Sequence, residues 1–560
     1  MIHAIDRVII VLIIIPLFLC AESISADNNS KPSFTESALT PLIKQRVDKL
    51  ASHSQRSVRN EEIYSAYLVT RFYKGRDYAS AWSYNGTLQQ VDILIKAIDE
   101  SYGEGLSPAY YHLAPINSLA ENIKKGLSRD PSLLADLDIL LTDAFLTLGC
   151  HLSAGCANPL TAASEWFAKG GKVDVTSLLE QALRKKRIRE TLMQLRPEKD
   201  IYIRLRHALA EYREFALKGE WPQMSAGPAL KKGMTSERVG ELKKRLVASG
   251  DLKLKETMPN NRFDDSLEQS VIAFQLRHGI SADGTVGRTT RKALNVPLKQ
   301  RIRQIELNLE RLRWILGNIE DRFIIVNIAD FRLYVIEGDL PVLSMKVVVG
   351  KPYLSTPIFT SKMTYIVINP SWNIPKSIAL KEILPKVQRN PRYLAEQNID
   401  VLQNEGTHEK KIDLRNANWS RINSNISQYR FRQQPGPKNA LGQLKFMFPN
   451  SFDVYLHDTP AKSLFSENIR TFSHGCIRIE KPVELAEYLL REDPRWTRDA
   501  LIAAIDKGTE QVVTIPKPLN VHLLYLTAWV DNEGSVQFRN DIYGRDKRLE
   551  QALFKKPYIP

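Results

Sequence analysis

The sequence predicts an α+β multidomain protein: a helical scaffold, a small three-helix unit, and an antiparallel β-rich domain with an inserted lid. Three observations predict it. Residues 61–226 hold long segments of 3.6-residue apolar period broken by Gly and Pro. Residues 230–297 compress three short helical periods between Gly-containing turns. From Phe323 onward the pattern changes to β-branched and aromatic runs separated by turn residues. A chain of 560 residues exceeds one hydrophobic core. Its 43% hydrophobic and 25% charged content excludes both wholesale disorder and a multi-span membrane protein.

The N-terminus carries Arg7, the apolar run Val8 to Leu19, and then small polar residues through Ala26. That run is short for a bilayer span and fits a secretory signal over residues 1–26, with cleavage after Ala26 or Ala21. The alternative is an uncleaved anchor. Cys20 follows Leu19, whereas lipid attachment calls for a small residue there. The chain is expected to be exported, with membrane contact only through this N-terminal segment, cleaved or left as an anchor. Net charge is +15, which favours an anionic polymer as partner. For an exported chain, cell wall or membrane surface is the expected polymer, not nucleic acid.

Residues 27–60 are polar throughout and read as a flexible tether. The scaffold, residues 61–226, contains helical periods such as Leu133 to Leu148 and Asp200 to Lys218. His112 and His151 are single histidines there, read as ordinary polar residues. Cys150 and Cys156 can bridge across a turn; on one unbroken helix they sit on different faces and cannot. In residues 230–297 the helices are expected at Glu237 to Gly250, around Leu267 to Gln275, and at Thr289 to Leu294. Residues 298–322 read as an amphipathic linking helix, with Ile302, Ile305, Leu309, Leu312 and Ile315 on one side. The β-rich domain spans 323–545. Residues 376–440 interrupt its strands and read as a lid, polar and irregular after a helix at Ser377 to Val387. Residues 546–560 are read as a tail.

The chemistry concentrates at Phe472-Ser473-His474-Gly475-Cys476-Ile477-Arg478, with His457 ending the preceding strand. A thiol near histidine, in a loop whose Gly475 admits close backbone approach, is a candidate nucleophile with a lowered pKa. His457, His474 and Cys476 could also be read as zinc ligands. That spacing is unusual and no second Cys/His pair supports it, so no metal is expected.

Two resemblances follow from these residues. Gly233, Val239, Leu246, Asp264, Phe274, Gln275, Gly279, Asp283-Gly284, Gly287 and Thr289 occupy motif positions similar to those of the small three-helix peptidoglycan-binding domain. His457-Asp458-Thr459 followed by Ser473-His474-Gly475-Cys476-Ile477-Arg478 resembles the active-site signature of the L,D-transpeptidases. The whole chain from about residue 60 is similar to their large, lid-bearing Gram-negative type, which implies the periplasm and, for an anchor, the inner membrane. One departure is Asp458, where many members have glycine. The resemblance implies that Cys476 attacks a tetrapeptide stem, releases terminal D-Ala, and passes the acyl group to an amine in a 3→3 cross-link. His457 is the implied base and then acid, oriented by the Asp458 backbone carbonyl. The Gly475 and Cys476 N–H groups are the expected oxyanion donors. Ser473, His474 and Arg478 are the expected substrate contacts, although Ser473 also fits loop ordering and Arg478 loop bracing. No cofactor is implied. Peptidoglycan stem peptides and other wall-synthesis proteins are the implied partners, and carbapenems the implied inhibitors. A carboxypeptidase, a hydrolase detaching wall proteins, and a non-catalytic wall-binding scaffold are the alternatives.

Overall fold

The computed structural model describes residues 36–553 and 559, apart from 53–54, 85–86, 128–129, 160–172, 254–259, 316–319, 339, 406–407 and 415–418. The expected signal at 1–26 lies outside the described residues, as does the start of the expected tether. No helix among the described residues is long and apolar enough to cross a membrane. From Glu36 the tether reading is corrected. Glu36–Ala51 is a helix, α1. Leu39, Ile43, Val47 and Leu50 recur at helical spacing and are buried. The polar composition concealed this stripe.

The scaffold is built around α2, Pro131–Ala154, whose residues from Leu134 to Leu152 are buried on every face. A helix apolar over most of its surface must be enclosed, and shorter helices surround this one. Two aspartates inside it fix the surrounding loops. Asp143 accepts from the Ser65 N–H (2.7 Å) and hydroxyl (2.6 Å), and bonds His112 Nε2 at 2.8 Å. Asp138 accepts from the Tyr73 hydroxyl (2.6 Å) and the Trp82 N–H (3.0 Å). His112 is therefore a buried polar node. Burial opposes its charged form, yet Asp143 and Glu61 raise its pKa. Cys150 lies within α2 and Cys156 just beyond it; both are free thiols, and burial pushes Cys150 up to about 12.

The helix α3, Asp200–Leu217, leaves the scaffold core and joins the core of the β-rich domain through Tyr202, Leu205 and Leu209. Next come the three-helix unit of α4 (Glu237–Ala248), α5 (Asp265–Arg277) and α6 (Arg288–Leu294). Its Gln275 is buried with both amide ends engaged. Nε2 donates to Asp283 (2.9 Å) and Oε1 accepts from the Gly284 N–H (2.9 Å). These fingerprint positions hold the fold. The unit is docked on the β-rich domain. His278 stacks between Phe274 and Phe538, and Arg539 donates to the Arg277 carbonyl at 3.1 Å. The linking helix α7, Leu298–Ile315, packs against α3 and carries a buried Arg313–Glu310 pair at 2.8 Å. Arg313 also donates to the Glu104 carbonyl at 2.9 Å, so scaffold and linker share one buried charge network.

The β-rich domain contains β1 (Arg322–Asn327), β2 (Arg332–Glu337), β3 (Leu340–Gly350), β4 (Phe359–Ile368), β9 (Leu444–Met447), β10 (Leu456–His457), β11 (Thr471–Ser473), β12 (Ile477–Ile479) and β13 (Gln511–Leu524). Their order is β11-β3-β12-β10-β9-β4-β13-β1-β2, and pairing of β2 with β3 closes the ring. Most pairs are antiparallel. Three are parallel: β10 with β12, β11 with β3, and β13 with β1.

The lid is a folded subdomain, which corrects the irregular reading. Strands β5 (Trp372–Ile374), β6 (Ile399–Glu405), β7 (His408–Lys411) and β8 (Tyr429–Gln433) form a sheet in the order β7-β6-β8-β5. Ile374, Ile383, Leu384, Val401 and Phe431 give it a separate core. The tail reading is also corrected. Arg545–Leu553 is a helix, α8, with Leu549 buried and Asp546 paired to Arg311 at 2.6 Å. Leu549→Ala is expected to lower stability by about 2–4 kcal/mol, as for other buried leucines. Denaturant titration checks this, and an unchanged midpoint would restore the tail reading.

Candidate active site

Alternation along three neighbouring strands builds the site. In Leu444-Lys445-Phe446 the outer residues are fully buried and Lys445 faces away from the core. In Ile477-Arg478-Ile479 the isoleucines are buried and Arg478 takes the opposite face. Pairing aligns Lys445 with His457 and His457 with Arg478. Residues two apart share a face, so Tyr455 joins His457, and Cys476 joins Arg478. Lys445, Tyr455, His457, Cys476 and Arg478 therefore converge on one side of the sheet.

His457 Nδ1 donates to the Asp458 carbonyl at 2.5 Å. That bond fixes the tautomer and leaves Nε2 as the acceptor nitrogen. Burial, followed by the charge of Arg478, lowers its pKa to about 3. The imidazole is thus neutral. The Asp458 side chain has its own role. Its carboxylate is buried, accepts from the Gln443 N–H at 2.9 Å and pairs with Lys462. It lies directly over Gly442, where a Cβ would fall 2.3 Å from Oδ2 and φ is +64°. The aspartate at this position is accommodated by the glycine facing it.

The Cys476 thiol donates to the Asp453 carbonyl at 3.8 Å. Burial raises its pKa, against the lowered value expected from the sequence. Hydrogen bonds from Tyr455 and the charges of Lys445 and Arg478 offset part of that rise. At rest the pair is a neutral thiol and a neutral imidazole. Ser473 is buried. Its hydroxyl donates to the Cys476 carbonyl at 2.5 Å and accepts from the Gly475 N–H at 3.1 Å. These bonds fit the loop-ordering role expected of Ser473, and they correct one expectation: the Gly475 N–H is engaged inside the loop instead of facing an oxyanion. The Cys476 N–H is the donor that remains.

His474 is exposed, and its Nε2 bonds Glu382 of the lid at 2.5 Å. Glu382 lies on a π-helical turn, Ala379–Ile383. Trp372, on the first lid strand, lies close enough to Tyr455 to act on its hydroxyl. The lid therefore touches the catalytic face at both points. Arg478 Nε is buried without a hydrogen-bond partner among the described residues. Among the described residues no three His, Cys, Asp or Glu are grouped as a metal ion would require. Tyr455 and Lys445 were missed by sequence reasoning. The alternation of Leu444-Lys445-Phe446 and Tyr455-Leu456-His457 exposed their faces, but the pairing that joins them was not legible.

Gly442→Ala is expected to lower stability by about 2 kcal/mol through positive φ and overlap with Asp458. Adding Asp458→Gly removes the overlap and recovers part of the loss, measured by denaturant titration of both variants. A second expectation concerns pH. His457 and His522 have folded-state pKa values of about 3 and about 4, both lowered by burial. Below pH 6.5 the unfolded chain takes up protons that the folded chain declines. Stability present in full above 6.5 is therefore lost as pH falls, by about 2 kcal/mol per histidine at pH 5. His522→Gln is expected to flatten the decline between pH 7 and pH 5.

Comparison with known proteins agrees with this geometry. Residues 321–513 match the L,D-transpeptidase catalytic domain. Residues 235–294 match a domain described as "Putative peptidoglycan binding domain", and residues 67–209 match the Scaffold domain. A protein of Haemophilus influenzae named "Putative L,D-transpeptidase" is 37% identical over 252 residues, covering 44% of this chain and 49% of the relative. A Bacillus licheniformis protein named "Probable N-acetylmuramoyl-L-alanine amidase" is 39% identical over 71 residues, 13% of this chain and 20% of its own length. The chain thus spans about half the length of the first relative and a fifth of the second. A solved L,D-transpeptidase structure from Xylanimonas cellulosilytica is 13% identical, covers 54% of this chain and 99% of that one, and has a TM-score of 0.17, too low to carry weight. The chain therefore carries three matched regions in order: a scaffold domain, a peptidoglycan-binding domain and an L,D-transpeptidase catalytic domain.

Proposed function

We propose that the protein is a periplasmic peptidoglycan L,D-transpeptidase that forms 3→3 cross-links through a Cys476 thioester. The observation that carries the reading is the placement of Cys476 and His457 on one face, with His457 Nδ1 bound to the Asp458 carbonyl. In the first step Sγ attacks the carbonyl between the third residue of a tetrapeptide stem and its terminal D-Ala. The thiol proton passes to His457 Nε2 as the C–S bond forms. Because the resting pair is neutral, thiolate character develops only during attack, where Lys445, Arg478 and the Tyr455 hydroxyl can stabilise it. The Cys476 N–H would donate to the oxyanion. His457 then protonates the departing D-Ala amine as the C–N bond breaks, leaving the thioester.

In the second step a side-chain amine of another stem attacks the thioester. His457 takes its proton and returns one to the sulfur. Arg478, with its unpartnered Nε, and Lys445 would meet a stem carboxylate beside the reacting bond. The second reading, hydrolysis of the same thioester by water, differs only in the acceptor. The lid meets the catalytic loop through Glu382 and His474, and would favour the amine to the extent that it restricts water there. The docked three-helix unit supports delivery to the wall polymer.

Mass spectrometry of the protein with tetrapeptide muropeptides tests the reading. A thioester on Cys476, release of D-Ala and 3→3 dimers are expected, and Cys476→Ala abolishes all three. Tripeptide product without dimers would assign a carboxypeptidase. Absence of any adduct on the wild type would end the enzymatic reading.

A further inference from the structure

Behind the catalytic loop, a turn from β3 meets a segment beyond the matched catalytic domain. Thr356 is fully buried in that turn. Its hydroxyl accepts from the Gly350 N–H at 2.9 Å and donates to the Gly475 carbonyl at 2.8 Å. The turn is tight, since a Cβ at Gly350 would fall 2.1 Å from the Leu354 carbonyl oxygen. The Lys351 N–H adds a bond to the Ser473 carbonyl at 3.0 Å. From the C-terminal segment, the Tyr543 hydroxyl donates to the Gly350 carbonyl at 2.5 Å and accepts from the Thr356 N–H at 3.5 Å. Arg545 donates to the Thr356 carbonyl at 3.0 Å. Residues 543–545 lie outside the 321–513 match.

We propose that Thr356 is a positioning residue for acyl transfer, holding the Gly475–Cys476 peptide so that its N–H faces the oxyanion, with Tyr543 and Arg545 bracing Thr356. The physical reason is planarity. The Gly475 carbonyl and the Cys476 N–H belong to one rigid peptide unit and point in opposite directions. A hydroxyl that captures the carbonyl on the buried side sets the direction of the N–H on the other side. Gly475 needs that restraint, because its φ of +117° lies where its backbone turns freely. Its own N–H is already held by Ser473, so the Cys476 N–H carries the oxyanion role. The inference rests on the acyl-transfer reading of Cys476.

The test compares two reactions of one thiol in the full chain. Acylation by a carbapenem passes through an oxyanion; alkylation by iodoacetamide does not. Thr356→Val is expected to slow acylation about 10- to 100-fold, as when an oxyanion donor is misaligned, with alkylation of Cys476 within about twofold. Thr356→Ser restores acylation. Tyr543→Phe slows acylation less, again without changing alkylation, and decides the matter if Thr356→Val fails to fold by circular dichroism. Equal loss of both reactions would show that the thiol itself is displaced and would overturn the inference. Unchanged acylation in Thr356→Val and Tyr543→Phe would overturn it as well. A wild type that is alkylated but never acylated would overturn the acyl-transfer reading and this inference with it.

Discussion

The parallel pairing of β10 with β12 is the constraint on which the site depends. Leu456 aligns with Ile477 and His457 with Arg478. Because side chains alternate along a strand, a slip of one residue would turn Cys476 and Arg478 into the core and Ile477 and Ile479 toward the substrate. The buried isoleucines oppose that slip. Each would lose about 1.5–3 kcal/mol of burial on becoming exposed. The same hydrophobic contacts that stabilise the sheet therefore hold Cys476 and His457 on one face. The antiparallel pairing of β9 with β10 extends the row to Lys445.

Burial controls the chemistry of that face as strongly as charge does. Lys445 and Arg478 would lower a thiol's pKa, yet desolvation outweighs them at Cys476. The same desolvation keeps His457 neutral, with the Arg478 charge acting in the same direction. A neutral thiol is also the form that resists oxidation, since thiolate is the form that oxidises. The lid adjusts this environment, because Trp372 and Glu382 reach the catalytic face from a subdomain with its own core.

The outlying parts are mechanically joined to the sheet. Glu310 and Arg313 form a buried pair that also holds Glu104 of the scaffold. Breaking a buried pair from one side costs several kcal/mol, so these helices are not free to drift. Gly155, with φ +87°, lets the scaffold approach Trp314 where a Cβ would fall 2.4 Å from the indole nitrogen. The three-helix unit is held by Arg539 and the His278 stack, and its Ser281 meets Asn468 in the segment leading to the catalytic loop.

Local patterns in the sequence determined the chemistry and much of the architecture. The Ser473-to-Arg478 motif with His457 named a cysteine nucleophile, and helical periods outlined the three-helix unit. Those features are legible because they depend on residues close together in the chain. The tertiary structure decided the rest. The tether became α1 and the tail became α8, because Ile43, Val47 and Leu549 find apolar partners far away in sequence. Lys445 and Tyr455 entered the site through strand pairing, which composition does not encode. Thr356 reached Gly475 across 119 positions of the chain. The thiol's protonation state followed desolvation, which only packing creates. The sequence alone specified which groups could react; the packed fold set their faces and their charges.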